Sequence, residues 1–223
     1  MTTLADMTSA QAGECADQVL VVPLGATEQH GPHLPLTTDT DIAVALAEGL
    51  AARSHVVVAP AVAYGSSGEH QAFPGTLSIG GPAIELLIVE LARSATCTWP
   101  RLLLVSTHGG NADVVRSAVR QLRDEGRDVR AWFPTWRGDA HAGHTETSIM
   151  LALDPARVSN SRAAVGATAP LAELWSSLRT EGVTAVSPNG ILGDATTAEA
   201  GVGTRLLEDE LCALQAFVEA WPA

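Results

Sequence analysis

Short apolar runs alternate with longer amphipathic stretches along most of the chain. Four of the runs have the length and composition of buried strands: residues 18–24, 55–60, 101–107 and 128–133. Helical spacing of apolar residues follows the first three runs: residues 41–53, residues 82–94, and a helix that Asn111 is expected to cap and Gly126 to end. A short helix at residues 147–153 and an amphipathic stretch at residues 197–221 come later. Strand–helix alternation of this kind predicts a largely parallel sheet with helices on both of its faces.

This pattern predicts an α/β fold, namely a single-domain, three-layer α/β/α structure with a mostly parallel central sheet. The domain is expected to span residues 18–223, since no linker or internal repeat divides that stretch. Residues 1–17 are polar and acidic, and we expect them to form a flexible N-terminal tail. The tail lacks the basic start and apolar centre of a signal peptide.

Composition narrows the possible functions. Apolar residues make up 46% of the 223 residues, which favours a packed core. The formal charge of −12 argues against binding to nucleic acid, which needs clustered basic side chains. The apolar runs are too short to span a membrane, so no membrane partner is expected. The three cysteines are far apart and form no Cys-x-x-Cys pair, which is typical of a protein in the reducing cytoplasm.

Polar clusters follow the predicted strands, where parallel sheets bind their ligands. The first cluster places Glu28 and His30 two residues apart, so that they point the same way in extended backbone. Carboxylate and imidazole are ordinary ligands of zinc, manganese and iron. Asp39 can reach the same point from the start of the next helix and bridge two cations. In the alternative interpretation, Glu28 and His30 are solvated, and Asp39 or Asp41 only caps the helix.

Two further clusters follow the third and fourth strands. His108 stands before two glycines, which let backbone approach its ring closely; alternatively it is a satisfied histidine beside a capped helix. His141 and Glu146 form the third cluster, where a helix N-terminus favours an ionised carboxylate or an ordinary cap. Five of the seven histidines lie in the three clusters, and this conjunction favours a single metal site.

Five segments resemble the creatininase family of amidohydrolases in their order and spacing. They are Glu28-x-His30-Gly-Pro-His33, Thr38-Asp39, Phe73-Pro-Gly-Thr-Leu77, His108-Gly-Gly-Asn111 and His141-Ala-Gly-x-x-Glu146-Thr-Ser148. The resemblance covers about residues 20 to 153 and implies a homo-oligomer with two divalent metal ions per subunit, Zn²⁺ or Fe²⁺ with Mn²⁺ as a further option. It also implies that water held between the ions attacks an amide carbonyl.

The resemblance assigns a role to each residue of the clusters. Asp39 bridges the two ions, Glu28 and His108 hold one of them, and His30 holds the other. His141 delivers a proton to the leaving amine. One position departs from the family: creatininases carry a carboxylate where Gly110 stands here. One ligand of the family arrangement is therefore either missing or supplied by Glu146, and the departure weakens the case for creatinine as the substrate.

Within the family, the run at residues 65–70 and the compact third cluster are most similar to a peptidase subgroup. That subgroup removes a C-terminal Val-Tyr dipeptide from a modified precursor peptide. The resemblance therefore implies a metal-dependent amide or peptide hydrolase with such a peptide as its substrate, and with His141 and Glu146 as catalytic residues. The alternatives are a creatininase-type or formamide hydrolase of another small amide, and a catalytically inactive metal- or ligand-binding homologue.

Substrate contacts are expected from two places. Glu69 and His70 lie on a glycine-flanked loop, where they either hold the substrate or form a solvent-facing turn. Trp136, together with Trp132 and Phe133, is expected to line a pocket for a tyrosine side chain. Plain core packing is the alternative for Phe133.

Overall fold

A computed structural model describes residues 3–136 and 138–222; residues 1, 2, 137 and 223 of the predicted tail and domain lie outside it. Its sheet consists of four strands: β1 (Val19–Leu24), β2 (Val56–Val58), β3 (Arg101–Ser106) and β4 (Asp128–Trp132). The strands lie in the order β2-β1-β3-β4, and every neighbouring pair is parallel. The four predicted strands and the parallel sheet are confirmed.

The described ranges contain eight α-helices. They are α1 (Ser9–Glu14), α2 (Thr38–Ala51), α3 (Gly81–Ala95), α4 (Ala112–Asp124), α5 (His144–Leu153), α6 (Leu171–Glu181), α7 (Val183–Val186) and α8 (Ala200–Glu219). The predicted helices are confirmed, although α2 begins at Thr38 and α5 at His144, earlier than the apolar spacing indicates. None of the described helices is both long and apolar enough to cross a bilayer.

Side chains alternate between the two faces of each strand, so the sheet has two separate cores. Val21 and Leu103 point to the face covered by α2, α5 and α8. Val22 and Leu104 point to the face covered by α3 and α4. Each of these four side chains is at most 1% exposed, so the strands are buried on both faces. Strands buried in this way have apolar residues at successive positions, which explains the continuous apolar runs in the sequence. The predicted three-layer α/β/α architecture is confirmed.

The N-terminal segment contacts the domain in this structure. Leu4 and Met7 pack against the core on the side of α3 and α4. The indole Nε1 of Trp99 donates a hydrogen bond of 3.1 Å to the carbonyl of Cys15. The flexibility expected for residues 1–17 stays a prediction, since contacts in one conformation do not measure motion.

The strand order leaves a crevice between β1 and β3. The chain passes from β1 to β2 on one side, then returns to place β3 on the other side of β1. The loops that follow β1 and β3 therefore leave in different directions, and a crevice opens at the carboxyl ends of these strands. The polar clusters of the sequence are located at this point.

Candidate metal centre

The five predicted ligands come from four segments and meet at the carboxyl ends of β1 and β3. Glu28 and His30 lie on the loop after β1, and Asp39 lies in the first turn of α2. His108 follows β3, and Glu146 lies in the first turn of α5. Glu28 and His30 are fully buried, at 0% exposure. The structure thus brings together all five side chains that the sequence indicated.

The start of α2 is locked against the ends of β1 and β3, and this places Asp39. A Cβ atom on Gly25 would come within 2.4 Å of the Cα of Thr40, so only glycine permits this approach. Thr40 donates a hydrogen bond of 3.0 Å to the carbonyl of Ala26. Thr107, just after β3, donates one of 2.7 Å to the carbonyl of Asp39 itself.

The first ligand group consists of Glu28, Asp39 and His108, whose ligand atoms all lie within 4.8 Å of one another. Nδ1 of His108 is 3.1 Å from Oδ2 of Asp39. Nε2 of His108 is 3.3 Å from Oε2 of Glu28, but it lies closer, at 2.9 Å, to the carbonyl of Ser66. Because a carbonyl only accepts, Nε2 carries the proton, and the lone pair of Nδ1 is left for an ion.

The second group consists of His30, Asp39 and Glu146. Nε2 of His30 is 3.3 Å from Oδ1 of Asp39 and 3.8 Å from Oε2 of Glu146. Nδ1 of His30 donates to the backbone carbonyl of Glu28 at 3.1 Å, so Nε2 is the free ligand atom. The two oxygens of Asp39 face His30 and His108 separately, which is the arrangement of a bridging carboxylate.

Several buried polar atoms at this centre lack a hydrogen-bond partner within residues 3–136 and 138–222. They are Oε1 and Oε2 of Glu28, Nε2 of His30 and Oδ2 of Asp39. Burying such groups without a partner is costly, and buried carboxylates are normally paired or bound to metal. Cations at this point would give all four atoms a partner, so the residues fit a metal centre. Mixed imidazole and carboxylate donors suit zinc, manganese or iron.

Burial and charge shift the pKa values of the ligands. Burial raises the pKa of Glu28 to about 7 and that of Glu146 to about 7. Burial opposes the imidazolium form of His30 and His108, but neighbouring carboxylates prevail and raise both pKa values to about 10. The pKa of Asp39 is lowered, because the adjacent imidazolium groups outweigh its burial. Without metal, protons therefore occupy the positions that cations fit.

His141 adjoins both groups and forms a third one with Glu28 and His30, whose ligand atoms also lie within 4.8 Å of one another. Its Nδ1 is 3.6 Å from Oε1 of Glu28, and its Nε2 donates to the backbone carbonyl of Gln29 at 2.8 Å. Leu192 holds the backbone of His141 through hydrogen bonds in both directions, of 2.8 and 3.4 Å. Burial, followed by the charges of His30 and its other histidine neighbour, lowers the pKa of His141 well below its usual value. The proton-donor role of His141 stays a prediction.

The three predicted substrate contacts lie in different places. His70 is buried, with Nε2 3.3 Å from Oε1 of Glu28, so the structure brings it into the centre. Glu69 is half-buried, and Trp136 packs against the core on the side of α2, α5 and α8. Neither Glu69 nor Trp136 belongs to any ligand group found in the described residues. Their substrate contacts stay predictions.

The two other aromatic residues of the predicted tyrosine pocket lie on opposite sides of the sheet. Trp132 is buried in the same core as Trp136, at 7% exposure. Phe133 packs on the α3 and α4 side, with the guanidinium of Arg116 4.7 Å from its ring centroid. Core packing was the alternative for Phe133, and this location favours it.

Two buried amides were missed from the sequence. Asn111 does precede α4, but its side chain makes no capping hydrogen bond. It donates instead to the carbonyl of Gly25 at 3.0 Å and accepts from the amide of Ser66 at 2.9 Å. Gln29 lies between two histidines of the centre and contacts both of them, His70 and His141. Polar residues in loops are usually expected to be solvated. Asn111 and Gln29 are buried by contacts with residues far away in the sequence, which a local pattern does not indicate.

Gly110 stands where the family resemblance leads us to expect a carboxylate. A Cβ atom here would come within 2.2 Å of the carbonyl oxygen of Ser66 and 2.5 Å of Nε2 of His108. The glycine therefore gives room for the hydrogen bond between these two groups. At the second group, Glu146 is the carboxylate that the structure supplies.

Comparison with known proteins agrees with this geometry. The family model described as creatinine amidohydrolase matches residues 5–218. A mycofactocin precursor peptide peptidase of Mycolicibacterium smegmatis is 49% identical over 98% of this chain and 91% of its own length. A second one, of Mycobacterium ulcerans, is 52% identical over 85% of this chain and 80% of its own. Creatinine amidohydrolase of Pseudomonas putida is 32% identical over 68% and 69%.

Solved structures give the same result. A crystal structure of creatininase superposes with a TM-score of 0.84 at 25% identity, over 100% of this chain and 99% of that one. A manganese form of creatininase gives a TM-score of 0.84 at 26% identity with the same coverage. A Zn–Zn form of a creatininase mutant gives 0.83 at 25%, over 99% and 98%. The chain belongs to the creatininase family of metal-dependent amidohydrolases.

Proposed function

We propose that this protein is a metal-dependent peptidase that acts on the mycofactocin precursor peptide and releases its C-terminal Val-Tyr dipeptide. The observation that carries the proposal is the gathering of Glu28, His30, Asp39, His108 and Glu146 around unpaired buried atoms. The similarity to two mycobacterial peptidases over most of the chain supports the substrate class.

Two divalent ions per subunit fit the two ligand groups that share Asp39. Glu28 and His108 would hold one ion, and His30 and Glu146 the other. Such ions supply Lewis-acid chemistry, which lowers the pKa of water and polarises an amide carbonyl. Glu146 takes the part of the carboxylate that Gly110 lacks, because its Oε2 faces Nε2 of His30.

The proton of the attacking water must reach the leaving amine when the C–N bond breaks. Nδ1 of His141 is the atom for this transfer, since Nε2 is held by the carbonyl of Gln29 and Nδ1 faces the centre. The lowered pKa of His141 keeps Nδ1 unprotonated until it takes a proton. Nδ1 then passes that proton to the amine nitrogen, which departs as a neutral amine.

Mass spectrometry of the modified precursor peptide tests the proposal. The peptide is incubated with purified protein loaded with zinc, iron or manganese, and we expect loss of the mass of Val-Tyr. Chelated protein and the Asp39→Asn variant serve as controls and should leave the peptide intact. An intact peptide with every metal would overturn the proposal.

The same assay addresses the other candidate functions. Identity to the Pseudomonas putida enzyme makes creatinine the second substrate to test, and a formamide the third. Turnover of a small amide with an intact peptide would favour a small-amide hydrolase. A protein that binds metal and turns over none of the three would be an inactive binding homologue.

Assembly and location stay predictions. We propose a homo-oligomer in the cytoplasm, in line with the family resemblance. Light scattering coupled to size-exclusion chromatography measures the number of subunits. A monomeric mass for the metal-loaded protein would contradict the assembly.

A further inference from the structure

Four histidines face the centre, and each has one ring nitrogen bound on the far side. In three of them that nitrogen makes a hydrogen bond to a backbone carbonyl. The pairs are His30 with Glu28 at 3.1 Å, His108 with Ser66 at 2.9 Å, and His141 with Gln29 at 2.8 Å. A carbonyl oxygen only accepts hydrogen bonds, so the ring nitrogen that contacts it carries the proton, and the inward nitrogen of each of these histidines presents a lone pair.

His70 is bound in the opposite sense. Its Nδ1 lies 2.8 Å from the amide nitrogen Nε2 of Gln29. An amide nitrogen only donates, so Nδ1 of His70 must accept, and the ring proton is on Nε2. Nε2 is the atom that faces the centre, 3.3 Å from Oε1 of Glu28.

The orientation of the Gln29 amide is fixed by its other contacts. Oε1 of Gln29 accepts from the backbone amide of Gly31 at 2.8 Å, and Nε2 donates to the carbonyl of Gly190 at 3.0 Å. Exchanging the two ends of the amide would put donor against donor and acceptor against acceptor. Gly190 also lies directly on the amide, because a Cβ atom there would be 2.0 Å from Oε1. The amide nitrogen has two hydrogens, which go to the carbonyl of Gly190 and to Nδ1 of His70. Nε2 of His141, 3.1 Å from the same nitrogen, receives neither, because its own proton is donated to the backbone carbonyl of Gln29.

We infer that His70 is no metal ligand but a hydrogen-bond donor that presents its Nε2–H to the oxygen of the scissile carbonyl, and that Gln29 is the positioning residue that sets this tautomer. The donor is available, since Oε1 of Glu28 makes no hydrogen bond with the described residues. A fixed N–H aimed at an oxygen that gains negative charge stabilises the transition state. The contact with a scissile carbonyl rests on the proposed peptidase function. The tautomer of His70 rests on hydrogen bonds alone.

Nitrogen-15 NMR tests the tautomer without substrate. Zinc-loaded protein labelled at histidine is used, and the signals of His70 are identified by their loss in a His70→Asn variant. We expect a proton on Nε2 and a lone pair on Nδ1 in the wild type. In Gln29→Glu, Nδ1 of His70 should gain a proton, because a carboxylate has none to donate. The matched control is Gln71→Glu, an exposed position that should keep the wild-type pattern. A proton on Nδ1 of wild-type His70, or an unchanged pattern in Gln29→Glu, would overturn the inference.

Metal content and kinetics separate a donor from a ligand. His70→Asn retains an N–H donor and His70→Leu does not, and both should keep the full zinc content. We expect kcat to fall by about 100-fold or more in His70→Leu, as for other lost transition-state donors, and by less in His70→Asn. Loss of one zinc equivalent in both variants would make His70 a ligand and refute the inference. If the wild type leaves the peptide intact but shows the expected tautomer, the substrate assignment fails and the role of Gln29 stands.

Discussion

Nε2 of His33 lies 2.8 Å from the hydroxyl oxygen of Thr147, and both side chains are buried. His33 belongs to the loop that carries His30, and Thr147 follows Glu146 on α5. This hydrogen bond therefore joins two of the three segments that supply the second ligand group. Burial lowers the pKa of His33 to about 4, so the ring is neutral and the bond persists at neutral pH.

Thr147→Val should weaken the second metal site. The substitution keeps the volume and removes the hydroxyl, so Nε2 of His33 loses its hydrogen-bond partner and Glu146 loses its register with His30. Supporting residues of this kind typically change metal affinity by about 10- to 100-fold. Zinc titration of the chelated protein should show one ion bound as in the wild type and one bound more weakly. Thr147→Ser, which restores the hydroxyl, is the control, and two unchanged affinities in Thr147→Val would contradict the role of this bond.

Gly110 should tolerate no side chain, whereas its neighbour Gly109 should. A Cβ atom at Gly110 collides with the Ser66 carbonyl and with His108, but a Cβ atom at Gly109 meets nothing within 4 Å. Gly110→Ala should therefore displace the carbonyl that fixes the tautomer of His108 and weaken zinc binding by about 10-fold or more.

Gly109→Ala is the matched control and should bind zinc like the wild type. Gly110→Glu, which restores the carboxylate of creatininases, should also lose affinity here because of the same collision. Tighter zinc binding by Gly110→Glu would show that the second site lacks this ligand after all.

Metal binding should release protons and strengthen as the pH rises. In the metal-free protein, the pKa values of Glu28 and Glu146 are raised from 4.5 to about 7, and those of His30 and His108 from 6.5 to about 10. Ligands bind metal only after losing these protons. Calorimetric zinc titrations in buffers of different ionisation enthalpy should show net proton release, which falls as the pH rises.

The stability of the metal-free protein should depend on pH through the protonation of the same four side chains. A pKa raised by folding adds stability that is complete below the unfolded value and is lost as the pH rises through the folded value. The melting temperature of the chelated protein should therefore decrease as the pH rises from about 4.5, the unfolded pKa of the two glutamates, to about 10, the folded pKa of the two histidines. Asp39 has a lowered pKa, so its contribution changes only in more acidic solution. Zinc replaces the protons, so its stabilising effect should grow over the same interval. A zinc effect that is independent of pH would contradict these shifts.

The fold and the metal ligands could be predicted from patterns of neighbouring residues. The hydrogen bonds that hold the ligands in place could not, because they join residues far apart in the sequence. Strands buried on both faces form continuous apolar runs, and chemistry in a parallel sheet collects at the strand ends, so Glu28 and His108 could be identified. His70 was expected to meet substrate, yet its place beside Glu28 depends on Gln29 and Gly190, which are far apart in the sequence. The segment after residue 153 carried no recognised motif, although its backbone holds two residues of the centre.

Asn111 should contribute to stability as well as to metal binding. It is fully buried and links the loop after β1 to the loop after β2, through the carbonyl of Gly25 and the amide of Ser66. Asn111→Ala leaves both backbone groups buried without a partner, at a cost of about 1 to 3 kcal/mol for each unsatisfied group.

Urea unfolding of the chelated protein should therefore show a free energy of unfolding lower by about 2 kcal/mol or more in Asn111→Ala. Asn160→Ala, at an exposed position, should stay within about 0.5 kcal/mol of the wild type. Asn111→Ala should also weaken zinc binding, because Ser66 shifts and its carbonyl no longer holds the ring of His108. A loss of stability with unchanged zinc affinity would separate the two effects and show that the ring of His108 is fixed without Asn111.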